Sequence, residues 1–182
     1  HAVGKLPSLK EPQLLPGPDG SLWLLWLEQR PQEKGRTTAL LRGFGQQDAT
    51  PLELTPAPVN LRSRVHDYGG GVLTAAMEAD RLVLAWVDQG CLWQQDWHLP
   101  SGELEIPIAL DAPFRLTQPG DWDLADGLLD LPRQRWIGIR EFDGIDQLVS
   151  VQLSTADQQP QLLHQPAAVS YTHLRAHETL DH

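Results

Sequence analysis

Residues Ser21–Glu28 read S-L-W-L-L-W-L-E, an apolar, tryptophan-bearing run of strand length that ends on an acid. It is entered through Pro18-Asp19-Gly20, a sequence that turns the chain. The same design returns twice. R-L-V-L-A-W-V-D (Arg81–Asp88) follows Glu78-Ala79-Asp80, and R-W-I-G-I-R-E-F (Arg135–Phe142) follows Leu131-Pro132-Arg133-Gln134. Behind each lies a second apolar run: T-T-A-L-L-R (Thr37–Arg42), C-L-W-Q-Q-D-W (Cys91–Trp97) and L-V-S-V-Q-L-S (Leu148–Ser154). Short edge-like pieces close the units: P-L-E-L-T (Pro51–Thr55), F-R-L-T (Phe114–Thr117) and Q-L-L-H (Gln161–His164). The lead runs start 60 and 54 residues apart, somewhat longer than the roughly 40–50 residues of a propeller blade.

Helix signals are poor. Fifteen prolines and fifteen glycines interrupt every long window before a 3.6-residue apolar stripe develops. Short strands joined by turns, repeated at this length, predict an all-β chain of stacked antiparallel sheets. A small sheet cannot bury both faces alone, so the sheets must pack on one another with large side chains between them. The seven tryptophans, Trp23, Trp26, Trp86, Trp93, Trp97, Trp122 and Trp136, are suitable fillers. About three blades are present, whereas closed propellers have roughly four to eight, so the expectation is an incomplete β-propeller over residues 1–169.

The thirteen residues from Ser170 to His182 stand apart. The stretch Y-T-H-L-R-A-H-E-T within them resembles the conceptual translation of a sequencing adapter and is set aside from the fold. Its His173 and His177 are four apart, but H-L-R-A-H lacks the internal glutamate of a zinc-peptidase helix, and no metal site is expected. The chain has 182 residues with 14 Lys+Arg against 24 Asp+Glu, a formal net charge of −10. That excess argues against binding a phosphate backbone, so no nucleic-acid partner is expected. No run approaches the roughly 18–20 apolar residues of a membrane span, and no membrane partner is expected. Cys91 is the only cysteine, which excludes an internal disulfide and reads as a small buried hydrophobe. The start at His1 suggests a fragment.

Two longer motifs carry a resemblance. W-L-E-Q-R-P-Q-E-K-G-R-T-T-A-L-L-R (Trp26–Arg42) and V-N-L-R-S-R-V-H-D-Y-G-G-G (Val59–Gly71) are similar to the amino-terminal propeller of prolyl oligopeptidase family serine peptidases, nearest the dipeptidyl-aminopeptidase/acylaminoacyl-peptidase branch. Asp67 stands where that family usually has glutamate. A looser match covers D-L-A-D-G-L-L-D-L-P-R-Q-R-W-I-G-I-R-E-F-D-G (Asp123–Gly144). The resemblance implies a propeller that caps an α/β-hydrolase domain of the same parent chain and restricts entry to short peptides. It further implies acyl transfer to a serine in that domain, and a cytoplasmic location. The alternative is a non-catalytic TolB-like propeller serving as a binding scaffold.

No serine here sits in the G-x-S-x-G elbow such a nucleophile needs, so no catalytic residue and no cofactor is expected in this chain. The candidate substrate-binding residues are Arg62, Arg64, His66, Asp67 and Tyr68. Arg62 and Arg64 can grip a peptide carboxylate, or form structural ion pairs with Asp67 or Glu28. His66 can act as a base or pack at a blade junction. Tyr68 can touch substrate or fill core. Gly69-Gly70-Gly71 reads as a turn or bulge needing positive φ, or as an anion-binding nest.

Overall fold

The computed structural model describes residues 4–65, 71–102 and 104–168. Among these there is no helix beyond single 3-10 turns, and the strands form three antiparallel sheets. Blade 1 runs β1 (Ser8–Pro16), β2 (Leu22–Arg30), β3 (Arg36–Gly43) and β4 (Leu52–Glu53). Blade 2 runs β5 (Leu73–Glu78), β6 (Arg81–Asp88) and β7 (Cys91–His98), with β8 (Ile108–Ala109) and β9 (Phe114–Arg115) both paired to β7. Blade 3 runs β10 (Trp122–Asp130), β11 (Arg135–Phe142), β12 (Ile145–Gln152) and β13 (Gln161–His164). The chain is an all-β partial propeller of three blades.

The burial of the three tryptophan runs shows how the sheets stack. β6 is buried on both sides: Leu82, Leu84 and Trp86 enter one core, while Val83, Ala85 and Val87 enter another. Successive side chains on a strand point to opposite faces, so blade 2 is the wall shared by two cores. β2 buries only Trp23, Leu25 and Leu27 and leaves Leu24 and Trp26 partly exposed. β11 likewise buries Trp136 and Gly138 and leaves Ile137 and Ile139 partly exposed. The first core joins blades 1 and 2 through Leu25, Leu27, Leu41, Leu84 and Trp86; the second joins blades 2 and 3 through Val83, Leu92, Leu124, Trp136 and Val149. Of the seven tryptophans, Trp23, Trp86 and Trp136 are the fully buried fillers.

Each lead run is the second strand of its blade rather than the first. The sequence reading finds β2, β6 and β11 but passes over β1, β5 and β10. The reason is visible in two of them. β1 carries Pro12 and Pro16 and shifts register between Lys10 and Gln13, with Glu11 at φ 54°. β10 shifts register between Ala125 and Leu128, with Asp126 at φ 54°. A bulge of this kind breaks the alternation by which a strand is recognised. The hairpins β6–β7 and β11–β12 close on Gln89-Gly90 (φ 52° and 76°) and Asp143-Gly144 (φ 50° and 72°), the positive pair that a type I′ turn requires.

Candidate functional site

The segment from Leu54 to Val72 crosses from blade 1 to blade 2 and contains Arg62 and Arg64. It is fixed strand by strand. Thr55 accepts from Thr38 Oγ1 (2.9 Å) and Arg36 Nη1 (3.0 Å) at its carbonyl, and its hydroxyl accepts from the Ala39 amide at 2.9 Å. Asn60 Oδ1 accepts from the Thr37 amide at 3.0 Å, and the Leu61 amide returns to Thr37 O at 3.0 Å. The Arg62 amide reaches Val87 O in blade 2 at 3.2 Å. Leu61 and Val65 are buried, so the alternating Arg62 and Arg64 are turned outward and exposed.

Blade 3 completes the anchoring. Asp123 Oδ2 accepts from the Arg64 amide at 2.7 Å, and Asp123 Oδ1 accepts from the Leu124 amide at 3.1 Å. Asp126, on the β10 bulge, accepts from the Gly71 amide at 2.7 Å, while its own amide donates to Gly71 O at 2.8 Å. Gly71 is not in the left-handed region; Gly69 and Gly70 of the same run lie outside the described residues. Its need is space: an added Cβ would meet Asp126 Oδ1 at 3.2 Å and Glu11 Oε1 at 3.5 Å. Burial pushes the Glu11 carboxyl up, against the pull of Lys10, and the charge of Asp126 adds to the rise.

Arg62 and Arg64 line a cavity of about 340 Å³ with Gln89, Gly90, Gly120, Trp122 and Asp123. Arg140 lies over the Trp122 ring, 5.4 Å from its centroid, and donates to Gln147 Oε1 at 2.8 Å. Arg62 also borders a second, polar cavity with Lys10, Lys34, Asn60 and Ser63. His66, Asp67 and Tyr68 lie outside the described residues. Glu28, one of the carboxylates expected to pair with the two arginines, is bound to Arg30 at 2.8 Å. Trp122 and Asp123, which shape the cavity from blade 3, were not anticipated as site residues; the looser motif that begins at Asp123 was the signal that could have found them.

Replacing Asp123 with alanine removes the acceptor of the Arg64 amide. We expect a loss of about 1–2 kcal/mol in a urea melt and faster hydrogen exchange at the Arg64 amide, with amides of β6 unchanged below global unfolding.

No family model and no curated protein matches the sequence. Among solved structures, the chain is similar to puromycin hydrolase, at 25% identity and a TM-score of 0.64. It is also similar to a mutant of puromycin hydrolase complexed with PGG, at 24% identity and a TM-score of 0.66. A puromycin-hydrolyzing peptidase of Mycobacterium tuberculosis gives 22% identity and a TM-score of 0.62. In each case 87% of this chain and 25% of the other are covered, so the chain spans about a quarter of the length of the solved chains it matches. The three blades thus have the fold of the propeller portion of a prolyl oligopeptidase-family peptidase.

Proposed function

We propose that the chain supplies the substrate-selecting propeller face of a serine peptidase that cleaves short peptides, with the reacting serine in an α/β-hydrolase domain of the same parent chain. The observation that carries this reading is the Arg62–Arg64 segment: two outward guanidinium groups on one cavity, held by backbone bonds to three blades. A grip on a peptide carboxylate gains when the backbone that carries the guanidinium groups is fixed before the ligand arrives, because less chain freedom is lost on binding. The likeness to puromycin-hydrolyzing peptidases supports the reaction class, hydrolysis of an amide bond by acyl transfer to serine.

In the intact parent, Arg62→Gln with Arg64→Gln should raise KM for free-carboxylate peptides about tenfold, the scale of one lost charged hydrogen bond. The kcat should hold, and peptide amides should be spared. An unchanged KM, or an equal rise for amides, would overturn the assignment. The 182-residue chain alone should show no hydrolysis of aminoacyl or dipeptidyl substrates, and turnover above blank would contradict the division of labour.

A further inference from the structure

A larger cavity, about 550 Å³, opens at the seam between blades 1 and 2 beside the edge strand β9. Strand register builds its floor. Trp86 stands opposite Trp93, Asp88 opposite Cys91, and Trp93 in turn opposite Arg115 of β9. Directly opposed residues of an antiparallel pair share a face. Two indoles, a carboxylate, a thiol and a guanidinium are therefore presented together on the side of blade 2 that faces blade 1. Pro58 and Val59 of the connecting segment form the facing wall, and Gln89, Pro113 and Pro119 complete the lining. Val59 is fixed by Arg36, whose Nη1 donates to its carbonyl at 2.9 Å. Walls of proline lose little freedom when a ligand is enclosed.

The two charged groups are unequally satisfied. Asp88 accepts the Asn60 amide at a long 3.4 Å; burial pushes its carboxyl up, and the hydrogen bond from Asn60, the charge of Arg62 and a hydrogen bond from the Gln89 amide only partly offset the rise. A positive ligand group beside it would be favoured. Arg115 gives Nε and Nη2 to Asp157 Oδ1, at 3.3 Å and 2.8 Å, and no described residue bonds its Nη1. Its end-on edge can accept a second carboxylate. A mostly apolar cleft of this size with a few convergent polar groups has the make-up of a small-molecule site.

We propose that this cavity binds a free amino acid or dipeptide that carries both charged ends and a large apolar side chain, with the ammonium on Asp88, the carboxylate on Arg115 and the side chain against Trp86 and Trp93. The cavity borders the Arg62–Arg64 cavity at Gln89 but uses different charged groups, and the proposal does not depend on the peptidase reading.

The test titrates the chain by calorimetry with phenylalanine and with the dipeptide Phe-Leu, each free, N-acetylated and C-amidated. Blocking either end should weaken binding about tenfold, and the preferred length separates amino acid from dipeptide. Asp88→Asn should abolish the penalty for acetylation alone, and Arg115→Gln the penalty for amidation alone. Cys91 is the sole cysteine and lines the cavity, so its alkylation should slow several-fold with saturating ligand. Should either variant unfold, that protection in the unaltered chain still decides. Equal binding of free and blocked forms, no saturation at millimolar ligand, or binding without protection of Cys91 would each overturn the proposal.

Discussion

Replacing Gly127 with valine should destabilise the chain by roughly 3 kcal/mol or more, and blade 3 should lose its packing first. Gly127 lies on the β10 bulge directly against the indole of Trp136, so that any Cβ there would overlap Nε1, Cε2 and Cζ2 of the ring. Gly138, two residues along β11 from Trp136, meets the other end of the same ring in the same way. Trp136 is thus bedded on two positions that must lack a side chain, and it is 1% exposed in the core between blades 2 and 3. The bulge at Gly127 is restrained from retreating, because Asp126 beside it is held by both its amide and its carboxylate to Gly71. The double variant Gly127→Val with Trp136→Ala separates this account from a generic strand effect. Trp136→Ala alone should cost about 3–5 kcal/mol, and the double variant should cost well below the sum. Strict additivity in a chemical melt would show that the clash is not with the indole.

Arg36→Met should cost about 3 kcal/mol, the low end for a broken buried ion pair, because its partners keep some solvent. Arg36 is 8% exposed and donates to Glu33 Oε1 (2.9 Å), Glu53 Oε2 (2.9 Å) and the carbonyls of Thr55 and Val59 (3.0 and 2.9 Å). Arg30 shares both glutamates, at 3.1 Å and 2.8 Å. Methionine retains the stem but leaves Glu33 and Glu53 to Arg30 alone and the Thr55 carbonyl to Thr38, and it takes the guanidinium donor from the Val59 carbonyl. Lysine should not rescue the loss, because a single ammonium cannot span four acceptors in a plane. The hydrogen bonds of Arg36 and then Arg30 hold the Glu33 carboxyl below its ordinary value of 4.5. A lowered acid contributes stability above that pH and loses it as pH falls through the folded value. The unaltered chain should therefore weaken steadily below about pH 4.5, and the Arg36→Met chain should show a flatter acid limb. Parallel acid limbs in the two proteins would refute this assignment.

The parts of the fold that sequence discloses are those governed by period. The apolar runs of β2, β6 and β11 are legible as strands, but Leu22–Leu27 is as unbroken in sequence as β6, so only the burial pattern separates the wall between two cores from the sheets with one freer face. The two-residue turn at Gln89-Gly90 was not read from the sequence, although taken as a hairpin it sets Trp86 opposite Trp93, and half of the seam cavity follows. The bulged strands β1 and β10 were hidden because an acid at positive φ with a proline or glycine after it resembles a loop. The anchoring of the Arg62–Arg64 segment was hidden for another reason. Its acceptors, Asp123 and Asp126, lie 55 to 60 residues downstream, and no local pattern carries a contact of that span. Arg62 and Arg64 were legible as an exposed pair in a motif; the cavity they share with Trp122 was not.

That long-range tether bears on biosynthesis. A ribosome delivers the chain from its amino end, so the arginine-bearing segment is released well before the carboxylates that fasten it. Blades 1 and 2 can gather around their common tryptophans while this stretch is still untied. Only when β10 has emerged and seated against its neighbour is the Arg62–Arg64 segment fastened to all three blades, making it among the last features of the fold to mature.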